Sequence, residues 1–337
     1  MAGPTIEELM AKYEGRFRAA FLSAIREIVS QARIKEISDA LARGDVQGAL
    51  DKLYIEPAAF NVFTNEIRAS FGEGGMQAVQ NLGPLTDAQG NRLVFRFDVR
   101  NLVAEQWITE RSSEFITNIV DEQRIVIREH LRAGLQRGDN PRTTALDVVG
   151  RINKATGRRE GGVIGLSIPQ EQYVRNARSE LQNKDFSAYL QRKLRDKRFD
   201  RTVARALAAD EDLSPAQIAK IVNRYADRLL KHRGDTIART ETLAALNAAA
   251  YQSLQQLVDS GKIQADQITR VWDSAGDARV RNTHRIADGQ RVGFDEDFVM
   301  ASGRRLRYPG DPKGGASEVI NCRCIARTEI DFSVGVT

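Results

Sequence analysis

The residues best able to do chemistry lie in the last quarter of the chain. Trp272 opens a run that holds Asp277, Arg279, Arg281 and His284, and Ile320 leads into Asn321, Cys322 and Cys324. Thiolates and an imidazole are ligands for a borderline-soft divalent ion such as zinc. His284, Cys322 and Cys324 offer three such groups, and Asp277 or Asp288 could complete four. The spacing Cys-x-Cys departs from the usual Cys-x2-Cys knuckle. A second reading therefore stands beside the metal: two small buried thiols on a strand, with His284 hydrogen-bonded in a turn. Cys322 and Cys324 are the only cysteines, and bridging neighbours so close would strain the ring, so reduced thiols are expected.

The same residues allow two catalytic drawings. One is a Cys-His-Asp arrangement of Cys324, His284 and Asp277. The other is a metal-dependent nuclease, with Asp277, His284 and Asn321 around an ion that holds phosphate. No second motif backs either drawing, so the expectation is a structural domain without enzyme activity and with no required cofactor. Arg279, Arg281 and Arg285, with Arg304, Arg305 and Arg307, interleave with Asp273, Asp277, Asp295, Glu296 and Asp297. They suit internal ion pairs at least as well as phosphate contacts. A denser basic stretch, Arg192, Lys193, Arg195, Lys197, Arg198 and Arg201, is the candidate contact to double-stranded DNA. On a helix most of it would be a solvated face.

The elements that must position these groups are mostly helices. Phe17, Phe21, Ile25 and Ile28 make one apolar stripe, on a helix expected to end at Gly44 and Asp45. A short helix through Leu50 and Leu53 follows. From Pro57, the residues Phe60, Phe63, Ile67 and Phe71 repeat the pattern until Gly72, Gly74 and Gly75, which are expected to stop it. Gly83-Pro84 and the segment from Asp87 to Gly90 read as turns, and Leu93 to Phe97 as a short strand or extended link. A long helix is expected over about residues 101–137 and a loop over 156–168. Pro169 suits the first turn of the next helix. Ser214, Pro215 and Gln217 form a capping-box pattern. A separate last helix is expected over about 236–260, ending at Gly261. Residues 268–272 and 322–330 suit strands. The fold class is thus mainly α: an elongated multi-helix N-terminal region (1–99) and middle region (100–235), with a small α+β domain at 236–337.

The bulk composition agrees with a folded chain. Its 337 residues are 42% hydrophobic and 28% charged, with a net charge of +5. That balance permits contact with nucleic acid without demanding it. No apolar run approaches the roughly 18 to 20 residues that span a bilayer, and the opening residues do not read as a signal peptide. No membrane partner is expected, and the cytoplasm is the expected compartment. The glycine pairs are followed by no Gly-Lys-Ser/Thr, so no phosphate loop is read.

An ordered set of short pieces carries a family resemblance. Ile164 to Gln170 is followed by Tyr173, Val174 and Arg178; then come Arg198 to Asp200, Leu213 to Ile218, Arg224 to Ala226 and Ile237 to Glu241. Trp272, Asp277, Arg279, Arg281, His284, Gly289, Pro309 to Pro312 and Ile320 to Cys324 complete it. In this order, over about residues 100–330, the chain resembles the phage minor head proteins, the Mu F-like head morphogenesis family. The resemblance implies a virion protein of the head, near the portal vertex, made in the host cytoplasm. Its implied partners are the portal protein, capsid or scaffold proteins and packaged DNA. Its implied work is head assembly, DNA packaging or DNA delivery, or, in the rival form, ejection with the genome as a DNA-binding internal protein. The family's C-terminal module can be fused to toxin domains; the chain ends at Thr337, and none is expected here. The resemblance transfers no catalytic residue; Trp272, Asp277, Arg279, Arg281, His284, Asn321, Cys322 and Cys324 enter as signature or structural positions.

Overall fold

A computed structural model describes residues 4–86 and 91–332. The turn expected from Asp87 to Gly90 lies outside the described residues. The chain is mainly α, with small antiparallel sheets concentrated towards its C-terminal end. It divides into two compact units, each discontinuous in sequence. One takes residues 1–20, 62–113 and 235–337, the other 21–61 and 114–234.

The helices in chain order are α1 (Ile6–Gln31), α2 (Ile34–Ala42), α3 (Val46–Asp51), α4 (Asn61–Asn81), α5 (Leu102–Gln136), α6 (Pro141–Val149), α7 (Ile168–Gln182), α8 (Phe186–Gln191), α9 (Asp200–Ala209), α10 (Pro215–Asp259), α11 (Asn282–Ile286) and α12 (Ala316–Val319). The helix starts at Ser167 and Ser214 carry their own reciprocal hydrogen bonds, the one at Ser214 as the sequence implies. Ser167 and Gln170 close a capping box at the start of α7. Ser214 and Gln217 do the same for α10, with Ser214 N–H donating to Gln217 Oε1 at 2.8 Å and Gln217 N–H to Ser214 Oγ at 3.3 Å. Each exchange satisfies two backbone donors that a helix start leaves open.

Four expectations change. The first helix ends at Gln31 and a new one starts at Ile34, so it does not run on to Gly44. Gly72, Gly74 and Gly75 do not stop α4, which continues to Asn81. For Gly74 and Gly75 the reason is packing: a Cβ on Gly74 would sit 2.8 Å from the Leu246 side chain, and one on Gly75 would run into the Phe97 ring. The two helices expected on either side of residue 235 are one continuous α10 of 45 residues. Finally, the basic stretch is not a helix face. α8 ends at Gln191, Arg192 is extended, and a 3-10 turn spans Lys197–Phe199 before α9. Asp196 caps that turn by accepting from Arg198 N–H, and the cap competes with helix continuation.

In the first unit, Phe17 and Phe63 rings lie 4.9 Å apart and Phe71 stacks on Trp107 at 4.9 Å. Strands β1 (Leu85–Thr86) and β2 (Arg92–Leu93) pair as a small ribbon. The C-terminal part is built on a three-stranded antiparallel sheet: β5 (Ile268–Asp273) lies between β6 (Arg291–Gly293) and β9 (Ile325–Ile330). Strands β7 (Phe298–Val299) and β8 (Arg305–Leu306) form a second ribbon. Leu243 of α10, Trp272, Phe298, Met300, Leu306, Cys322 and Cys324 share one buried cluster against this sheet. In the second unit, β3 (Arg151–Ile152) and β4 (Arg159–Glu160) form another ribbon. It leads into a buried turn at Val163, Ile164 and Leu166. Val148 O accepts from the N–H groups of Val163 and Ile164 at 2.9 and 3.3 Å, and side chains complete the pairing: Gln123 donates to Leu166 O at 2.7 Å and accepts from Gly165 N–H at 2.6 Å, and Arg233 donates to Gly165 O at 3.1 Å. The loop expected at 156–168 is thus an internal part of its unit.

Candidate functional site

His284 is delivered by the one-turn helix α11 and the cysteines by the segment between α12 and β9. Asn321 turns the chain there with a left-handed φ of 56°, a conformation asparagine tolerates better than most residues. Asn321 N–H donates to Thr240 Oγ1 at 3.0 Å, Cys322 N–H to Val319 O at 3.1 Å, and Asn247 Nδ2 to Cys324 O at 3.1 Å. Both cysteines therefore precede β9 and do not lie on the strand as expected. They are held by α10 and α12, and both are free thiols, 2% exposed.

The three side chains converge. His284 Nδ1 lies 3.3 Å from Cys324 Sγ and 3.6 Å from Cys322 Sγ, and the three ligand atoms all lie within 4.8 Å of one another. The Trp272 ring meets His284 edge-on at 5.1 Å and walls one side. The other ring nitrogen, His284 Nε2, lies 2.9 Å from Glu318 Oε2, outside hydrogen-bond alignment. Glu318 is itself buried and accepts from Ser302 Oγ and Thr283 Oγ1, each at 2.8 Å. Burial opposes its charge, but the two hydroxyls and His284 outweigh that and hold its carboxyl below the usual range. The hydrogen bond between the thiols, together with burial, pushes Cys322 up, whereas that bond and His284 draw Cys324 down.

Asp277 is engaged elsewhere. Arg323 grips both its oxygens at 2.6 and 2.5 Å, and Arg279 donates from its backbone at 2.9 Å. This holds its carboxyl well below the usual carboxylate range. Among the described residues, the group of possible metal ligands comprises His284, Cys322 and Cys324 without Asp277. Asn321 Oδ1 accepts from Arg239 at 3.4 Å. Asp288, the other candidate fourth ligand, accepts from Ser274 N–H at 2.8 Å. Arg281 donates to Ser317 O at 2.7 Å and also to Ile320 O, tying α11 to α12.

The basic stretch keeps half its charge at home. Arg192 pairs with Glu180, Arg195 with Asp200 and Arg198 with Asp196, at 2.5, 2.9 and 2.5 Å. Lys193, Lys197 and Arg201 are exposed.

Two residues of this module escape a reading by motif. Glu318 carries no local sequence signal. Arg270 does carry one: strand alternation puts it on the face shared by Ile268 and Trp272. It is 1% exposed and donates to the carbonyls of Gly293 (3.1 Å), Glu296 and Arg307, with the Tyr251 and Phe298 rings 5.2 and 5.3 Å away. Burial pulls its pKa down to about 10.

Against known proteins, the chain is similar to the uncharacterized protein YqbB of Bacillus subtilis (strain 168), with 31% identity over 107 residues. That match covers 31% of this chain and 33% of the relative's length. No solved structure matches. The family model described as phage Mu protein F like protein matches residues 126–327, which takes in α7 to α10 and the His284, Cys322 and Cys324 cluster. More than half of the chain is thereby accounted for, and it belongs to the phage Mu protein F like family, a membership that supports a role in phage head morphogenesis.

Proposed function

We propose that this protein is a structural component of the phage head that docks at the portal vertex and supports head assembly, DNA packaging or DNA delivery. The observation that carries the reading is how the family-matched module spends its polar residues. Arg270, Arg281, Arg323 and Asp277 bind backbone or one another across loops. Such a module is braced to present a surface, and long helices with charged outer faces suit docking on a ring of helices. Weak contacts repeated around a symmetric ring gain from multivalency. The protein then acts by binding and not by turnover.

The test is co-purification of the full-length chain with portal protein, together with head assembly in its absence. Stable capture and defective or non-infectious heads are expected. Normal, infectious virions made without this polypeptide would overturn the reading. So would plasmid cleavage with added Mg2+, Mn2+ or Zn2+ that disappears in His284→Ala.

Contact with packaged DNA has one observation in its favour: the exposed Lys193, Lys197 and Arg201 close to one another in sequence. Each phosphate neutralised steepens the salt dependence of binding by about 0.9 in log–log slope. With the neighbouring arginines paired internally, a slope of about −3 at most is expected from this stretch. A steeper slope that survives replacement of these three residues by alanine would place the contact elsewhere.

A further inference from the structure

Two segments far apart in sequence bring an imidazole and two thiols to one buried point. Hydrogen bonding alone is a poor explanation. Sulfur is a weak donor and a weak acceptor, so His284 Nδ1, deep in the module, would have only two weak partners. The spacing fits something stronger. In a tetrahedral zinc site with Zn–N near 2.0–2.1 Å and Zn–S near 2.3 Å, nitrogen and sulfur stand about 3.6 Å apart. His284 Nδ1 stands 3.3 and 3.6 Å from the two sulfurs. The outer contact fits as well. A histidine that binds metal through one nitrogen commonly presents the other to a carboxylate, which fixes tautomer and ring orientation. Glu318 stands 2.9 Å from His284 Nε2, and Ser302 and Thr283 hold it there.

We propose that His284 Nδ1, Cys322 Sγ and Cys324 Sγ hold a zinc ion, whose fourth position opens onto the small cleft lined by Arg281, Asn321 and Arg323. Water or an anionic group fills that position. The ion pins α11 to the turn that leads into β9, closing a loop-rich module built on one three-stranded sheet. Zinc staples small modules in this way because ligand-binding free energy becomes folding free energy. The site is independent of portal docking: it holds or fails whatever surface the protein binds.

The full-length chain, purified under reducing conditions, is loaded with excess Zn2+, desalted and analysed for metal. About one zinc per chain is expected, since the three side chains make one site. Replacement by Co2+ should give sulfur-to-cobalt charge transfer in the near ultraviolet and the intense visible bands of a tetrahedral ion. Cys322→Ser should weaken both signals. Glu318→Gln leaves every ligand in place and should lower zinc affinity about 10- to 100-fold. Zinc far below one per chain in reduced, folded protein would overturn the site, as would a cobalt spectrum without sulfur charge transfer. An affinity unchanged in Cys322→Ser would also overturn it. If a variant fails to fold by circular dichroism, the cobalt spectrum of the unaltered protein decides alone.

Discussion

At the scale of single residues, the C-terminal module is organised by charges placed where charges are costly. Arg270 is the clearest case. Its guanidinium sits between two aromatic rings and serves three carbonyls of the loops that flank β7 and β8. A methionine would keep much of the volume but orphan those acceptors. An unsatisfied buried group costs about 1–3 kcal/mol, and some of the three would find water. Arg270→Met should therefore destabilise the protein by about 3 kcal/mol or more, read as a fall in the urea midpoint. Arg270→Lys should recover little, because an ammonium lacks the planar fork that reaches several carbonyls at once. A midpoint within error of the unaltered protein would show that the loops hold without it. The position was legible from strand alternation alone, since Arg270 shares a face with Ile268 and Trp272. Its partners were not, because the carbonyls it serves lie between 23 and 37 residues away. The candidate site divides in the same way. His284, Cys322 and Cys324 stand out as rare residue types, whereas Glu318 is one glutamate among many. Only the fold brings it to the imidazole.

At the scale of elements, local chemistry was readable where it closes on itself within a few residues. The capping box read at Ser214 needs only a serine and a glutamine three positions on, and it forms; Ser167 and Gln170 make the same exchange, which Pro169 alone does not signal. Glycine was harder, because its meaning depends on what approaches it. Gly74 and Gly75 look like stops but are points of close packing against Leu246 and Phe97. The separation of α1 from α2 leaves no glycine or proline to mark it. Gly165 combines both uses of glycine: its φ is +96° and an added Cβ would sit 2.6 Å from Leu230. Gly165→Ala must pay for a left-handed backbone and for a clash in a filled interior, together about 2–4 kcal/mol. Thermal unfolding should show the loss. A companion Gly157→Ala, also at positive φ but with open space around its Cβ, should lose only the conformational part, about 1 kcal/mol. If the two variants melt alike, the close approach at Gly165 contributes nothing.

At the scale of the whole molecule, nearly balanced charge gives a protein whose stability depends on carboxylates staying ionised. The chain has 50 basic and 45 acidic residues, and many of the acids are gripped by arginine. Glu105 by Arg68, Asp196 by Arg198, Asp277 by Arg323 and Glu329 by Arg291 all have their carboxyls held below the usual range by those hydrogen bonds. These pairs occur in both compact units. The sign of the linkage follows. A carboxylate with a depressed folded pKa takes up its proton first in the unfolded chain, whose reference values are about 4. Its stabilisation is fully present above that value and is lost as pH falls towards the folded pKa. Except at Asp196, which is itself buried, the carboxylates are partly or fully open to solvent, so each pair contributes little, and salt screens them. Their number makes the effect visible, because acidification also raises the net positive charge and with it the self-repulsion of the compact state. The melting temperature should hold between about pH 7 and 5 and fall progressively from about pH 4 downward. Added salt should flatten the neutral-pH advantage while partly relieving the repulsion at low pH. Scanning calorimetry across this range checks both. A melting temperature that rises on acidification would mean that buried acids with raised values, of which Asp227 is one through burial, outweigh the paired ones. Replacing Asp227 by asparagine would then remove the rise.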